Sequence, residues 1–394
     1  MRITERRKLL IYKLLLFVFA FVLAFMPSTA SRNLEVNSRV IVEMLGIDGA
    51  DEIELTAQYV MPTDTPDATT KDKVTVKAKS ITEAVEALNT ALGRRAELGQ
   101  CSVIVAGKDI KPDVLGTLMN ATDVTANVYL TAASDKASDA VGDITEFMKK
   151  TGATEADFIA YSTKQAHVAT VTILNFLSDL GSASKTAYMP IIEMIKEEGG
   201  SGGGQSGGGQ SGGSDGQSGG GGSGEQKKEP VGMKVEKLAL YNNDGRVGEL
   251  ESSAARGVAW ISAPIENGVV VSKVKYKGDE YDVSARLLDK SVSIDVLPKK
   301  NRAVINLTAT VQPNCDKFNV LEAKKDKKTK AAIKAGFSEA IKKEMKAAYE
   351  DSLALGLDPL FVGQQFYRFE PDFFEKGYEL GNTKVVFNVN VLLK

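Results

Sequence analysis

The 394-residue chain has one histidine, two cysteines and one tryptophan, and its 49 basic side chains are offset by 51 acidic ones to a net charge of -2. Each shortage excludes a class of chemistry. With His167 the sole histidine, two-histidine metal motifs cannot be built, and Cys101 and Cys315 lie in segments that read as different domains, so an ordinary zinc site would lack ligands. One histidine could serve a Ser-His-Asp triad. However, no G-x-S-x-G elbow stands at a strand-to-helix turn, and His167 sits in a polar helical context that reads as surface. The near-zero charge supplies no global field toward nucleic acid. Two cysteines in separate segments do not make a disulfide framework. Cys101, inside the apolar run Cys101-Ser102-Val103-Ile104-Val105, reads as a small hydrophobe in a buried strand, and Cys315, after Pro313-Asn314 in a loop, carries no assignment. No catalytic, cofactor-binding or metal residue emerges, and no cofactor is called for.

Long apolar runs are also scarce, with one exception at the start. Arg2, Arg6, Arg7, Lys8 and Lys13 precede Leu14 to Met26 and then Pro27-Ser28-Thr29-Ala30. A basic start, an apolar run and small residues at Ser28 and Ala30 make an export signal with a cut before Ser31. As a helix, Leu14 to Met26 spans only about 20 Å of a ~30 Å hydrocarbon core, which suits a cleaved signal. If Leu9, Leu10 and Ile11 join it and Lys13 snorkels, the span grows to about 27 Å and an anchor can be retained. Both outcomes stay open, and either places the rest of the chain outside the cytoplasm.

Gly199 to Gly224 is almost wholly Gly, Ser and Gln and buries too little apolar surface to order itself. It reads as a tether of about 28 Å end to end that lets its flanks reorient. Its formal G-x-G-x-x-G matches carry no meaning, because no strand leads in and no helix leads out. With a hydrophobic fraction of 43%, the flanking segments can build real cores.

The first folded half mixes both hydrophobic periods. Ile53, Leu55, Ala57 and Tyr59 alternate with polar residues as a half-buried strand, and Val40 to Ile47 before it suggests a hairpin through Asp48-Gly49. Ser80-Ile81-Thr82-Glu83 is a capping box opening a helix with Ile81, Val85, Leu88 and Leu92 on one side. A strand at Cys101 to Ala106, a helix at Pro112 to Met119, a strand at Val124 to Thr131, and helices around Ala137 to Lys149, Glu155 to Tyr161 and Val168 to Leu180 follow. Alternation of this kind calls for a sheet that is at least partly parallel.

The second half reads as a meander. Lys237 to Tyr241 turns at Asn242-Asn243-Asp244-Gly245 into Val247 to Leu250, and strands follow at Val269 to Tyr276, Tyr281 to Leu287, Val292 to Val296 and Arg302 to Gln312. Ala303, Ile305, Leu307, Ala309 and Val311 share one face of the last of these. A helix from Thr329 to Leu355 carries Ile333, Phe337, Ile341, Met345 and Tyr349 toward that face, and Lys384 to Lys394 closes the chain as a strand. The expected fold class is therefore α+β or mixed α/β, multi-domain, with mixed sheets covered by helices and two halves joined by a Gly/Ser/Gln linker. The division is 1–30 signal peptide or signal anchor, 31–198 N-terminal mixed α/β domain, 199–230 flexible linker and 231–394 C-terminal α+β domain.

Two charge features remain. Asp51-Glu52 and Glu197-Glu198 lie beside turns or the linker, where solvated carboxylates are expected and the cleft geometry of a glycoside hydrolase is not shown. Lys324, Lys325, Lys327, Lys328 and Lys330, continued by Lys342, Lys343 and Lys346, form either a solvated helix face or a contact for anionic head groups, diluted by Glu322, Asp326, Glu339 and Glu344.

Read in order, these segments resemble the C subunit of bacterial spore germinant receptors, the Ger(x)C family of spore germination proteins. The resemblance rests on Ala30-Ser31-Arg32-Asn33-Leu34-Glu35-Val36-Asn37, Leu45-Gly46-Ile47-Asp48, Leu55-Thr56-Ala57-Gln58-Tyr59, Ser80-Ile81-Thr82-Glu83-Ala84, Cys101 to Gly107 and Val235 to Trp260. Toward the end it rests on Leu357-Asp358-Pro359-Leu360-Phe361-Val362-Gly363 with Tyr367-Arg368 and Pro371. It implies a noncatalytic subunit at the spore inner membrane, assembled with A- and B-type membrane-embedded subunits that sense germinants and pass ions. Thr29-Ala30-Ser31-Arg32 replaces the family's lipobox and has no cysteine, which excludes lipidation there and leaves attachment to a retained signal helix or to protein partners. A secreted two-domain solute-binding module and a carboxylate-dependent cell-wall hydrolase are the competing readings.

Overall fold

The computed structural model describes residues 13–19, 39–49, 52–62, 69–152, 154–165, 167–196 and 230–394. Residues 13–19 are helical, with Leu14, Leu15, Leu16 and Phe17 exposed, and belong to a separate unit from Val40–Lys394. The rest of the expected export signal, Ser31 and the Gly/Ser/Gln segment lie outside the described residues. Among the described residues no helix is long and apolar enough to cross a membrane.

The larger unit is built on two sheets. Strands β1 (Arg39–Asp48), β5 (Val103–Ala106), β6 (Tyr129–Ala133) and β8 (Ala187–Lys196) run parallel as neighbours at the centre of the first. Parallel strands are covered on both faces, which accounts for the unbroken apolar run Val103-Ile104-Val105-Ala106, buried at every position. Antiparallel strands extend this centre on both sides, β2 (Ile53–Pro62) and β3 (Thr69–Ala78) beyond β1, and β9 (Pro230–Asn242) and β10 (Gly245–Leu250) beyond β8. Two short strands, β4 (Arg95–Glu97) and β7 (Val171–Thr172), pair with β1 and β6.

The helices between these strands follow their local signals. Ser80 caps α1 (Ile81–Leu92) by accepting from the Glu83 amide at 3.2 Å, and the Glu83 carboxylate takes the Lys79 amide at 3.0 Å, one residue earlier than in the reciprocal box. Then come α2 (Pro112–Ala121), with proline at its first position, α3 (Ala137–Thr151), α4 (Glu155–Lys164) and α5 (Ile173–Leu180). Two expectations shift here. Val124 to Val128 is irregular, so β6 starts only at Tyr129, and Val168 to Thr170 has no regular structure ahead of β7, so α5 starts only after Thr172, whose side chain caps it by accepting from the Asn175 amide. Cys101 is buried but sits just ahead of β5, its thiol donating to the Val103 carbonyl at 3.2 Å.

The second sheet is β11 (Val269–Tyr276), β12 (Asp279–Leu297), β13 (Arg302–Asn314) and β14 (Lys384–Leu393), with β14 parallel to β13. The two strands expected at Tyr281 to Leu287 and Val292 to Val296 are one: β12 runs through 19 residues and absorbs the break as a bulge between Leu287 and Asp289. Ala303, Ile305, Leu307, Ala309 and Val311 face the core. Against them lies α8 (Lys327–Ala354), preceded by the single turn α7 (Val320–Ala323), with Ile333, Phe337, Ile341, Met345 and Ala348 buried. The chain passes from α8 through α9 (Val362–Phe369) and α10 (Pro371–Glu375) to β14.

One helix had no clear sequence signal. The segment Ser252–Ser262 forms α6, packed on β9 and α8, and its small residues explain both the silence and the packing. A Cβ at Gly257 would clash with the Glu344 carbonyl and come within 2.7 Å of the Ala348 methyl, so α6 and α8 cross at near backbone contact.

The expectation that the halves reorient about a tether is corrected by the strands that flank it. The strands β8 and β9 pair antiparallel from Ala187 opposite Tyr241 to Lys196 opposite Pro230. Residues 197–229 therefore connect two neighbouring strands of one sheet, and the second half donates β9 and β10 to the sheet of the first. A single buried apolar cluster runs from Val42 to Val391.

Candidate functional site

Open α/β sheets place their ligands at the carboxyl ends of parallel strands, near helix N-termini. That place is filled from within the chain. Asp48, the last residue of β1, accepts from the Ala137 amide at 2.6 Å and the Ser138 amide at 2.8 Å, capping α3. Gly46, two residues back on the same face, lets α3 approach, since a Cβ there would lie 2.8 Å from Val141 Cγ2. A Cβ at Gly107 would strike the Asp48 carboxylate. The quartet Leu45-Gly46-Ile47-Asp48 is thus a helix dock.

A second buried aspartate does similar work where the two halves of the chain meet. After α8 the chain turns through Leu357 to Phe361, and Phe361 takes a left-handed φ of 56° immediately before α9. Asp358 Oδ1 accepts from the Val362 amide at 3.1 Å, and Oδ2 accepts from the Gly363 amide at 2.7 Å and from the Ser184 hydroxyl at 2.7 Å. Its own amide donates to Thr186 Oγ1 at 3.0 Å. The loop 181–186 returns the contact: the Ala183 amide donates to Gln364 Oε1 at 2.8 Å, and the Gln364 amide to Ser184 Oγ at 3.0 Å. A Cβ at Gly363 would meet Tyr378, Asp358 and Ser184 at 3.1–3.4 Å, so glycine fits the joint closely.

Burial dominates the electrostatics of this joint. It pushes the Asp358 carboxyl up to about 6, against the pull of hydrogen bonds from Gly363, Ser184 and Val362. Beside it opens a cleft of about 590 Å³, lined by Lys185, Gln364, Tyr367, Phe374 and Tyr378 among others.

Two further buried polar groups tie α6 to its neighbours. Trp260, fully buried, donates its indole N–H to Glu344 at 2.6 Å; burial raises the Glu344 pKa although Arg256 stands 3.6 Å away. The Lys290 ammonium, at the β12 bulge, donates to the carbonyls of Ala259 (2.9 Å) and Trp260 (2.6 Å) at the end of α6, and burial brings it down to about 7.

The side chains weighed in the sequence do not converge. His167 is exposed, Cys101 and Cys315 form no disulfide, and Glu52 is exposed, while Asp51, Glu197 and Glu198 lie outside the described residues. Among the described residues no group of three or more His, Cys, Asp or Glu side chains could hold a metal ion. The lysines Lys327, Lys328, Lys330, Lys342 and Lys343 stand exposed with no ion-pair partner among the described residues, whereas Lys325 pairs with Glu322 at 2.7 Å and Lys346 with Glu350 at 3.2 Å. Asp358, Ser184 and Lys290 were missed as individual residues. The one signal for Asp358 was its place four and five residues before the Val362 and Gly363 amides.

Residues 32–194 match the model described as the spore germination protein N-terminal domain, and residues 236–394 match that described as spore germination B3/GerAC like, C-terminal. The chain belongs to the Ger(x)C family of germinant receptor C subunits. The crystal structure of the GerBC protein is similar over 89% of this chain and 96% of that one, at 13% identity and a TM-score of 0.49. No curated protein matches. The two aspartate caps fall in two of the sequence blocks that carry the resemblance to Ger(x)C proteins, Leu45 to Asp48 and Leu357 to Gly363.

Proposed function

We propose that this C subunit is a noncatalytic, extracytoplasmic component of a nutrient germinant receptor and supports germination by docking on membrane-embedded A- and B-type partner subunits. The observation that carries the reading is the succession of both family domains along one chain, at 32–194 and 236–394. In this reading 31–198 and 231–394 are the two family domains, and the leader 1–30 delivers them to the outer face of the spore inner membrane without lipidation at the usual position.

The lysines of α8 give the membrane surface a physical role. Glu344, one of the acids expected to dilute them, turns inward to Trp260 and leaves the exposed face. Five unpaired lysines near an anionic leaflet are worth on the order of 1 kcal/mol each, enough to orient a subunit already tethered by its partners.

A solute-binding module whose halves close on a ligand fits less well, since β8 and β9 belong to one sheet and the Asp358 joint locks loop 181–186 to α9. The test is genetic. Deleting the gene should abolish nutrient-triggered germination and leave non-nutrient release intact, and normal nutrient germination with no paralogue compensating would remove the proposal.

A further inference from the structure

The cleft beside the Asp358 joint has a consistent chemistry. One wall is aromatic: the Phe374 and Tyr378 rings stack with centroids 5.3 Å apart, and Tyr367 meets Phe374 edge-on at 5.5 Å. Tyr367 is half exposed. Gly181 to Lys185 also line the cleft, and Lys185 is exposed. Its volume of about 590 Å³ falls in the range of small-molecule sites, which gather where parts of a fold meet.

The nitrogen groups that remain free there donate only, and the Tyr367 and Tyr378 hydroxyls can donate as well as accept. Both Asp358 oxygens are engaged, the Ser184 hydroxyl both donates and accepts within the joint, and the Ser182 hydroxyl donates to the Asp179 carbonyl. Gln364 spends its amide oxygen on Ala183 and keeps its NH₂. Lys185 has no partner among the described residues, and no acidic side chain other than Asp358 lines the cleft. A site with an aromatic wall and unspent N–H donors selects a flat ligand that accepts hydrogen bonds and carries negative charge.

We infer that this cleft binds a small planar carboxylate, its ring against Tyr367 and Phe374 and its carboxylate on Lys185 and the Gln364 NH₂. The N-terminal amides of α9 take no part in holding it, because Asp358 already accepts from the Val362 and Gly363 amides and Ser184 from that of Gln364; the helix contributes only its Gln364 and Tyr367 side chains. The site is independent of the docking proposal and needs neither membrane nor partner.

Calorimetric titration of the full chain with sodium benzoate and, separately, benzylamine tests it. Benzoate should bind saturably and benzylamine should not. Lys185→Ala should weaken benzoate about tenfold by removing the charge-assisted bond, and Tyr367→Ala about fivefold by removing one ring face. Lys346→Ala, on the exposed face of α8, should change nothing. Both cleft residues are solvent-facing, so thermal unfolding followed by Trp260 fluorescence should match the parent and confirm intact folds. Absence of saturable heat up to about 10 mM benzoate overturns the assignment. Equal or tighter benzylamine binding, or benzoate binding indifferent to both cleft substitutions, overturns it as well. None of these failures bears on germination or partner docking.

Discussion

Replacing Asp358 by asparagine separates the two opposed effects that meet at the joint. Asparagine keeps one oxygen acceptor but turns an N–H₂ toward donors, so one of the Gly363 amide, the Val362 amide and the Ser184 hydroxyl loses its partner, a cost of about 1–3 kcal/mol at any pH. It also removes an ionisable group whose carboxyl sits at about 6 in the fold against 3.8 ordinarily. Between those values the folded chain holds a proton that the unfolded chain has released, so stability falls as pH rises. The group's contribution is complete below pH 3.8 and is lost by passage through pH 6, a change of roughly 3 kcal/mol. The difference between parent and Asp358→Asn should therefore favour the parent at pH 4 and shrink or reverse by pH 7.5. Urea unfolding followed by the fluorescence of Trp260, the chain's single tryptophan and fully buried, measures both proteins under each condition. Subtracting the two curves cancels every other titrating group. A difference that stays constant from pH 4 to 7.5 would refute the claim that burial outweighs hydrogen bonding at Asp358.

Four shorter expectations follow from the same contacts. Lys290→Met should alter the alkaline side: a lysine held near 7 leaves the folded chain with fewer protons than the unfolded one up to 10.5, so parent stability rises over that window and the variant's does not, as denaturation at pH 7.5 and 9.5 would show. Gly257→Val should drive α6 from α8 and lower stability by about 2–3 kcal/mol or prevent folding, read as a fall in the thermal midpoint. Asp48→Ala should uncap α3 and cost about 1–2 kcal/mol, with hydrogen exchange quickening at Ala137 and Ser138. Lys342→Glu with Lys343→Glu should weaken sedimentation with anionic vesicles and leave unfolding unchanged, because both side chains are exposed and unpaired.

Local chemistry was legible in the sequence wherever a residue's partner lay within a few positions. Ser80 and Glu83 announced α1, alternation from Ile53 to Tyr59 announced β2, and the stripe from Ile333 to Met345 announced the helix that covers the second sheet. The family resemblance was legible for the same reason, as an ordered set of short blocks. What stayed hidden depends on distant partners. The pairing of β8 with β9 crosses a Gly/Ser/Gln segment that reads as a spacer, and nothing local says that the strands on either side will find each other. The helix α6 was masked by Ala254, Ala255 and Gly257, residues that look neutral until α8 is placed against them. The distal part of β12 alternates regularly, but Leu288-Asp289 at the bulge breaks the period, so its continuity with the proximal part shows only through the register with β13. Asp358 was visible as part of a block, yet its grip on Ser184 spans 174 positions and emerges only in the fold.

This C subunit is proposed to act through contact with membrane neighbours. Purifying the tagged chain from detergent-solubilised spore membranes, with mass spectrometry of what accompanies it and N-terminal sequencing of the chain itself, tests that most directly. Co-elution with A- and B-type receptor subunits, and an N-terminus at Ser31 or a retained leader, is the expected result. Recovery of the chain alone from the cytosolic fraction with its leader intact would contradict it.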